Sequence, residues 1–329
     1  MIGVAVLLAS VIAGLLVGPV RIGAANTLRW FVTFGSRPPG MSEQDAVILA
    51  NLRLPRVIVG GLVGASLAAS GAAYQAVFRN PLADPYLLGA AAGAGLGATI
   101  AVAYGPAGAL EVTVPIAAFV GAIVGVGLAY LLGRSTVGGR SATTLVLAGV
   151  AVASFLTAVQ TFLQQQRSET LRQVYTWILG RLGTTGWDDV RLVLPSVLLA
   201  VGTLLVVRRL LDVIEVGDVE AQSLGLNVAR LRALVVVAAS LATAAAVATA
   251  GLIGFVGIIV PHTVRLLVGG SYRSVLPLSV LFGASFMILV DLMARTLVAP
   301  GEIPIGVITA LVGAPFFVVV LRRSARTAA

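Results

Sequence analysis

The sequence predicts an all-α, polytopic membrane protein of ten transmembrane helices with both termini on the cytoplasmic side. Three observations carry that expectation. Apolar runs of about 20 residues, long enough to cross a hydrocarbon core, recur along the whole chain. Only 11% of the 329 residues are charged, where a soluble domain averages about 25%, and the mean hydropathy is +1.03. Thirty-eight glycines, among many alanines, suit helices whose backbones approach closely in lipid. No soluble domain of useful size fits between the runs, so residues 1–329 read as one transmembrane domain.

The first span covers about 2–20; it lacks a basic leader and no secreted domain follows, so it reads as a span whose start could be trimmed. A polar outer segment, about 21–56, offers Trp30 and Phe31 as interfacial anchors. The second span, about 57–78, is broken by Pro81 and Pro85, which cannot easily continue a helix. A glycine-rich third span, about 87–103, turns at Gly105-Pro106 into a fourth, about 114–132. A basic loop at 133–140 precedes the fifth span, about 142–163. The outer segment 164–189 contains an amphipathic piece, 171–182, with Tyr175 and Trp177. The sixth span is about 190–207 and the seventh about 231–249. Gly251, Gly254, Gly257 and Pro261 interrupt the eighth, which ends near Leu267; the glycines could bend at a moving interface or pack closely. The ninth, about 275–297, turns at Pro300–Pro304 into the tenth, about 305–321.

The net charge of +9 comes from arginine alone, because the chain has no lysine. The arginines sit in loops and at span ends, which fits orientation and lipid headgroups rather than nucleic acid. With the termini inside, twelve arginines fall on the inner side, among them Arg140, Arg322, Arg323 and Arg326, and ten outside. Cysteine is absent and His262 is the only histidine, so no thiolate or multi-histidine metal site can form within the chain. His262, beside Pro261, suits a structural role. No phosphate-binding loop of the GxxxxGK[ST] type occurs, so energy for uphill transport has to come from a partner or an ion gradient. Asp291 is the one ionisable group at membrane depth, and an i,i+4 pair with Arg295 is the simplest reading of it. A proton relay through Asp291 defines an alternative of another class, a proton-driven secondary transporter.

Between the sixth and seventh spans lies an island of charge, 208–232, with four of the thirteen acids and four of the twenty-two arginines. Asp218 can cap a short helix, Glu220 falls in its first turn, Gly225 suits a left-handed stop and Asn227 can cap the next helix.

Arg53-Leu54-Pro55-Arg56, Gln75, Arg79-Asn80-Pro81-Leu82-Ala83-Asp84-Pro85, Gly254-Phe255-Val256-Gly257, Val260-Pro261-His262, Glu302-Ile303-Pro304-Ile305-Gly306 and Gly313-Ala314-Pro315 occur in an order that resembles the FecCD-type permeases. These are the membrane subunits of type II ABC importers for ferric siderophores, haem and cobalamin. The one departure is Arg181, where the family more often has serine. The resemblance implies a homodimer in the bacterial cytoplasmic (inner) membrane. Two cytoplasmic ABC ATPase subunits would carry ATP and Mg, and a binding protein would deliver an iron chelate or cobalamin from outside; this chain itself would hold no cofactor or metal and would not be an enzyme. By motif position it implies a cytoplasmic gate at Asn80, Leu82, Ala142 and Thr143. It also implies ATPase coupling through Asp218, Glu220, Ala221, Leu224, Gly225, Leu226, Asn227 and Arg230, and binding-protein docking at Arg53, Arg56 and Arg295.

Overall fold

The computed structural model describes residues 1–33, 35–106, 108–135 and 142–327, and among them there is no strand. Arg140 lies outside the described residues, as do the side chains of Ala142, Arg322, Arg323 and Arg326. The chain forms helices α1 (Ile2–Leu16), α2 (Ala24–Val32), α3 (Glu43–Val47), α4 (Leu54–Phe78), α5 (Ala90–Tyr104), α6 (Leu110–Ser135) and α7 (Ala142–Gln166). It continues with α8 (Leu171–Ile178), α9 (Trp187–Val216), α10 (Asp218–Ser223), α11 (Val228–Ala250), α12 (Val256–Val268), α13 (Tyr272–Thr296) and α14 (Ile305–Thr327). Among the described residues six helical segments are long and apolar enough to cross a membrane, and four shorter apolar helices, Ile2–Leu16, Ala90–Tyr104, Val256–Val268 and Ile305–Val318, accompany them.

Helix α4 is the axis of the bundle. Nearly all its residues are buried, and α9, α11, α12 and α13 pack around it. Small side chains make this possible. A side chain on Gly64 would strike the Gly283 carbonyl of α13, and one on Gly71 would strike the Gly257 carbonyl of α12. Lipid supplies no hydrophobic drive for helix association, so such close backbone contact and buried hydrogen bonds hold the helices. Ser70 Oγ donates to the Ala239 carbonyl at 2.9 Å, the Tyr74 and Ser240 hydroxyls meet at 2.7 Å, and Gln75 Nε2 donates to the Gly257 carbonyl at 3.1 Å. Helices α5, α6 and α7 form a second layer, with Gly93 of α5 packed on Gly121 of α6.

The interruption expected after the seventh span is a break in the chain path. Helix α11 ends at Ala250, residues 251–254 are not helical, and α12 starts at Val256. Its freed backbone groups have partners, as the low dielectric requires. Tyr86 Oη donates to the Ile253 carbonyl and accepts the Ile253 N–H, each at 3.1 Å, while the Arg181 N–H donates to the Ala250 carbonyl at 3.0 Å.

Three local expectations are corrected. The first helix stops at Leu16 rather than Val20. The outer segment does not remain a loop up to residue 56: helix runs unbroken from Glu43 to Phe78, through a π-helical stretch at Ile48–Arg53. Ser42 starts it by accepting the Asp45 N–H at 3.0 Å, and the wider π turns relieve the clash that Pro55 would make with the carbonyl four residues back. Trp30 is no interfacial anchor; it is 3% exposed and packs with Ile22, Met41 and Leu49 in a small separate core.

Candidate functional site

The island of charge is helical for most of its length. Helix α9 runs through Arg208 and Arg209 to Val216, Gly217 breaks it, and α10 follows at once. Asp218 therefore is not the cap of α10, because Gly217 occupies that place. The Glu220 carboxylate lies over Gly217 in space that a side chain there would need. Gly225 takes φ +81°, the left-handed stop, and the Leu226 N–H closes the turn on the Ala221 carbonyl at 3.1 Å. Asn227 Oδ1 accepts the Arg230 N–H at 3.0 Å and so caps α11.

One face of α10 is rooted and the other is free. Ala221 is fully buried and Leu226 half-buried. Val219 and Leu224 are 77% and 74% exposed, beside the exposed Glu220 and Arg230. The root includes an ion-pair relay that the sequence did not announce. The Asp218 carboxylate accepts Arg232 Nη2 at 3.1 Å and stands 3.7 Å from Arg79 Nη2. Arg232 belongs to α11, and Arg79, in a left-handed conformation, ends α4 and opens the 80–85 turn. A second tie lies close by: Asp212, in the last turns of α9, accepts the Tyr272 N–H at 2.6 Å and the Ser271 hydroxyl at 3.0 Å, capping α13.

The 80–85 turn is held by its own side chains. Asn80 Oδ1 accepts the Leu82 N–H at 3.0 Å, and Asp84 Oδ1 accepts the Tyr86 N–H at 2.8 Å. Burial pushes the Asp84 carboxyl up to about 6, and the Tyr86 hydrogen bond offsets only part of that. Asn80 is exposed and Leu82 half-buried. Thr143, exposed in the first turn of α7, comes to the same end of the bundle, because Gly149 of α7 lies against the Leu87 backbone just after the turn. An open apolar crevice of about 690 Å³ runs along α14, lined by Val307, Ala310, Leu311 and Ala314 together with Leu179 and Leu252.

At the opposite end of α4, the three arginines expected to face a docking protein turn inward. Arg53 and Arg295 are 4% and 2% exposed. Arg53 Nη1 donates to the Leu15 and Leu16 carbonyls at 2.6 and 3.2 Å and Nη2 donates to the Val20 carbonyl, so Arg53 takes up loose carbonyls at the end of α1 and just beyond it. Arg295 Nη2 donates to the Gly14 carbonyl at 2.7 Å. Arg56 is bound on both sides, by Asp291 at 2.8 Å and by Glu302 at 2.8 and 2.9 Å. The hydrogen bond from Arg56 holds the Glu302 carboxyl below the ordinary carboxylate range. The i,i+4 contact of Asp291 with Arg295 is present at 3.5 Å, but Arg56 is the nearer partner. None of the three arginines is a free surface cation, because carbonyls around α1 and two carboxylates hold them in the bundle. Among the described residues no three of His, Cys, Asp and Glu come together as metal ligands. His262 stands edge-on to Phe316 at 5.8 Å.

A helical membrane bundle around a buried central span, with an exposed short helix tied into the ends of two spans, has a build that suits a transport subunit. The chain belongs to the FecCD transport family, which it matches over residues 6–323. It is 43% identical over 284 residues, 86% of this chain and 75% of the relative, to a cobalamin import system permease protein of Halobacterium salinarum. It is 36% identical to an Fe(3+)-citrate import system permease protein of Bacillus subtilis, covering 93% of this chain and 89% of the relative. A solved structure described as an inward-facing conformation in the metal-chelate type of ABC transporter superimposes with a TM-score of 0.85, at 30% identity over 98% of this chain and 97% of that one.

Proposed function

We propose that this chain is the permease of a type II ABC importer for a metal chelate, an iron chelate first and cobalamin as the alternative within the family. The relatives named above support both cargoes. The six long and four shorter apolar helices make ten spans, with both termini on the cytoplasmic side. The shorter ones measure roughly 20 Å at 1.5 Å per residue, and at α5 and α12 protein covers the N-terminal end, where the backbone is broken. The working unit is a homodimer in the inner membrane, with two cytoplasmic ATPase subunits and an external binding protein.

The observation that carries this reading is the rooted, half-exposed α10. Its apolar outer face, Val219 and Leu224, flanked by Glu220 and Arg230, fits a groove on an ATPase subunit. Its Asp218 is tied to Arg79, so displacement of α10 is passed to the turn that bears Asn80 and Leu82 and to the start of α7. ATP-dependent closure of the partners then shifts the dimer between outward- and inward-facing states. The crevice along α14 gives the path an apolar wall suited to a bulky chelate. The test is uptake of radiolabelled ferric citrate and of cobalamin into proteoliposomes holding permease, ATPase and binding protein. ATP-dependent accumulation of one of them is expected. Uptake by the permease alone under a proton gradient would support the secondary-transporter reading instead; the enclosure of Asp291 by Arg56 and Arg295 speaks against that reading.

A further inference from the structure

A cavity of about 230 Å³ opens between α6, α7 and α11, at the end of the bundle that carries α10. Its walls hold Tyr130 and Arg134 of α6, Leu145 of α7, and Arg230, Arg232 and Ala233 of α11. Three guanidinium groups thus share one small space. Asp218 pairs with Arg232 and is itself shared with Arg79. Among the described residues neither Arg134 nor Arg230 has a carboxylate within ion-pair distance. Residues 136–141, which join α6 to α7, contain no acid in the sequence. The cavity therefore carries an excess of positive charge with no internal anion to balance it.

The form of that charge selects a phosphate. Arginine presents a planar fork of donors that matches phosphate oxygens bidentately. Arg134 stacks over the Tyr130 ring at 5.8 Å, which orders it before any ligand arrives. The surroundings select a lipid as the source. On α11, Ala233 and the 65% exposed Val237 follow Arg230 at three and seven residues, on the same helical face. On α6, Gly127 lies seven residues before Arg134, and a side chain placed there would meet nothing within 4 Å. An open apolar track thus leads from the arginines toward the middle of the bundle. Basic pockets between spans on the cytoplasmic side take anionic headgroups in this way.

The geometry points to a binding site for the phosphodiester of an anionic phospholipid, gripped by Arg134 and Arg230, with an acyl chain along Gly127 and Val237. The site rests on the membrane placement of the chain and not on transport, so binding is read without uptake. The experiment is native mass spectrometry of the full-length protein, delipidated in uncharged detergent and titrated with phosphatidylglycerol, phosphatidylcholine or inorganic phosphate. One phosphatidylglycerol per chain is expected. Arg134→Gln with Arg230→Gln should weaken it by about tenfold or more. Leu145→Trp, which keeps every charge but fills the cavity, should displace the lipid as well. Equal retention of phosphatidylcholine, or wild-type affinity in both variants, would overturn the site. Inorganic phosphate binding with no preference for phosphatidylglycerol would make the free anion the ligand and overturn the lipid source. Loss of ATPase-subunit binding in the double variant with lipid retention unchanged would assign the arginines to a protein partner and overturn it too.

Discussion

Replacing Asp291 by alanine removes the carboxylate that two enclosed arginines share. Asp291 and Arg295 are each 2% exposed, and the Arg56 side chain is 12% exposed. Without Asp291, Arg295 keeps only the Gly14 carbonyl as a hydrogen-bond partner. Arg56 keeps Glu302, which stands at the rim with its side chain 39% exposed. Removing one member of a buried ion pair costs about 3–5 kcal/mol, mostly because the remaining charge stays buried without compensation. The surviving Glu302 contact places this case near the lower bound. At roughly 2–4 °C per kcal/mol for a chain of this order of size, the expected fall in Tm is about 6–12 °C. Thermal unfolding of the purified protein in detergent, followed by tryptophan fluorescence, measures it. Asp291→Asn keeps the shape and one of the two acceptor oxygens but not the charge, so it should fall between wild type and alanine. At a temperature where the variant is folded, ATP-driven uptake should persist. An unchanged Tm together with abolished uptake would refute the structural role and restore Asp291 as a proton carrier.

Asp218→Asn should leave ATPase-subunit binding in place, because Val219 and Leu224 are untouched, yet lower uptake per ATP hydrolysed; Asp218→Glu should restore part of it, and unchanged coupling in the Asn variant would sever α10 from the 80–85 turn. Gly64→Leu should overpack the α4–α13 contact by about 1–3 kcal/mol or more, read as lost folded protein in size-exclusion profiles. Gly61→Ala is the control, because its nearest neighbour would be Ile288 Cδ1 at 3.5 Å. Asp84→Asn should change the pH profile of stability. The folded carboxyl, raised to about 6 from 3.8, binds its proton more tightly than in the unfolded chain. Wild-type stability contributed by this group is therefore present below the unfolded value and lost as pH rises through about 6. The Asn variant should melt above wild type at pH 7.5 and show no advantage at pH 4; parallel profiles would refute the burial of Asp84.

The apolar helices were legible because a hydrocarbon core asks for long apolar runs, and six of them are long and apolar enough to cross it; the breaks at Pro81 and Pro85 and after Gly251 announce themselves in residue type. Gly225 and Asn227 were legible for the same reason, since stops and caps are set by residues a few positions apart. The relay from Asp218 to Arg79 was not, because its partners stand 139 residues apart and no periodicity links them. The inward turn of Arg53 was hidden in the same way, because the carbonyls it binds lie 33 to 38 residues back in the chain. Nothing local to Arg53 reveals that the carbonyls of Leu15, Leu16 and Val20 wait for it. The resemblance named Arg53, Arg56 and Arg295 together, and in the structure they clasp α1, α4 and α13.

The central claim, that α10 carries work from outside the chain into the spans, is tested most directly by the ratio of chelate imported to ATP hydrolysed. Proteoliposomes with permease, ATPase and binding protein would be compared for wild type and for Val219→Asp with Leu224→Asp. Loss of ATPase association and of ATP-driven uptake, with the permease still folded, is the expected result. Wild-type uptake and association in that variant would contradict it.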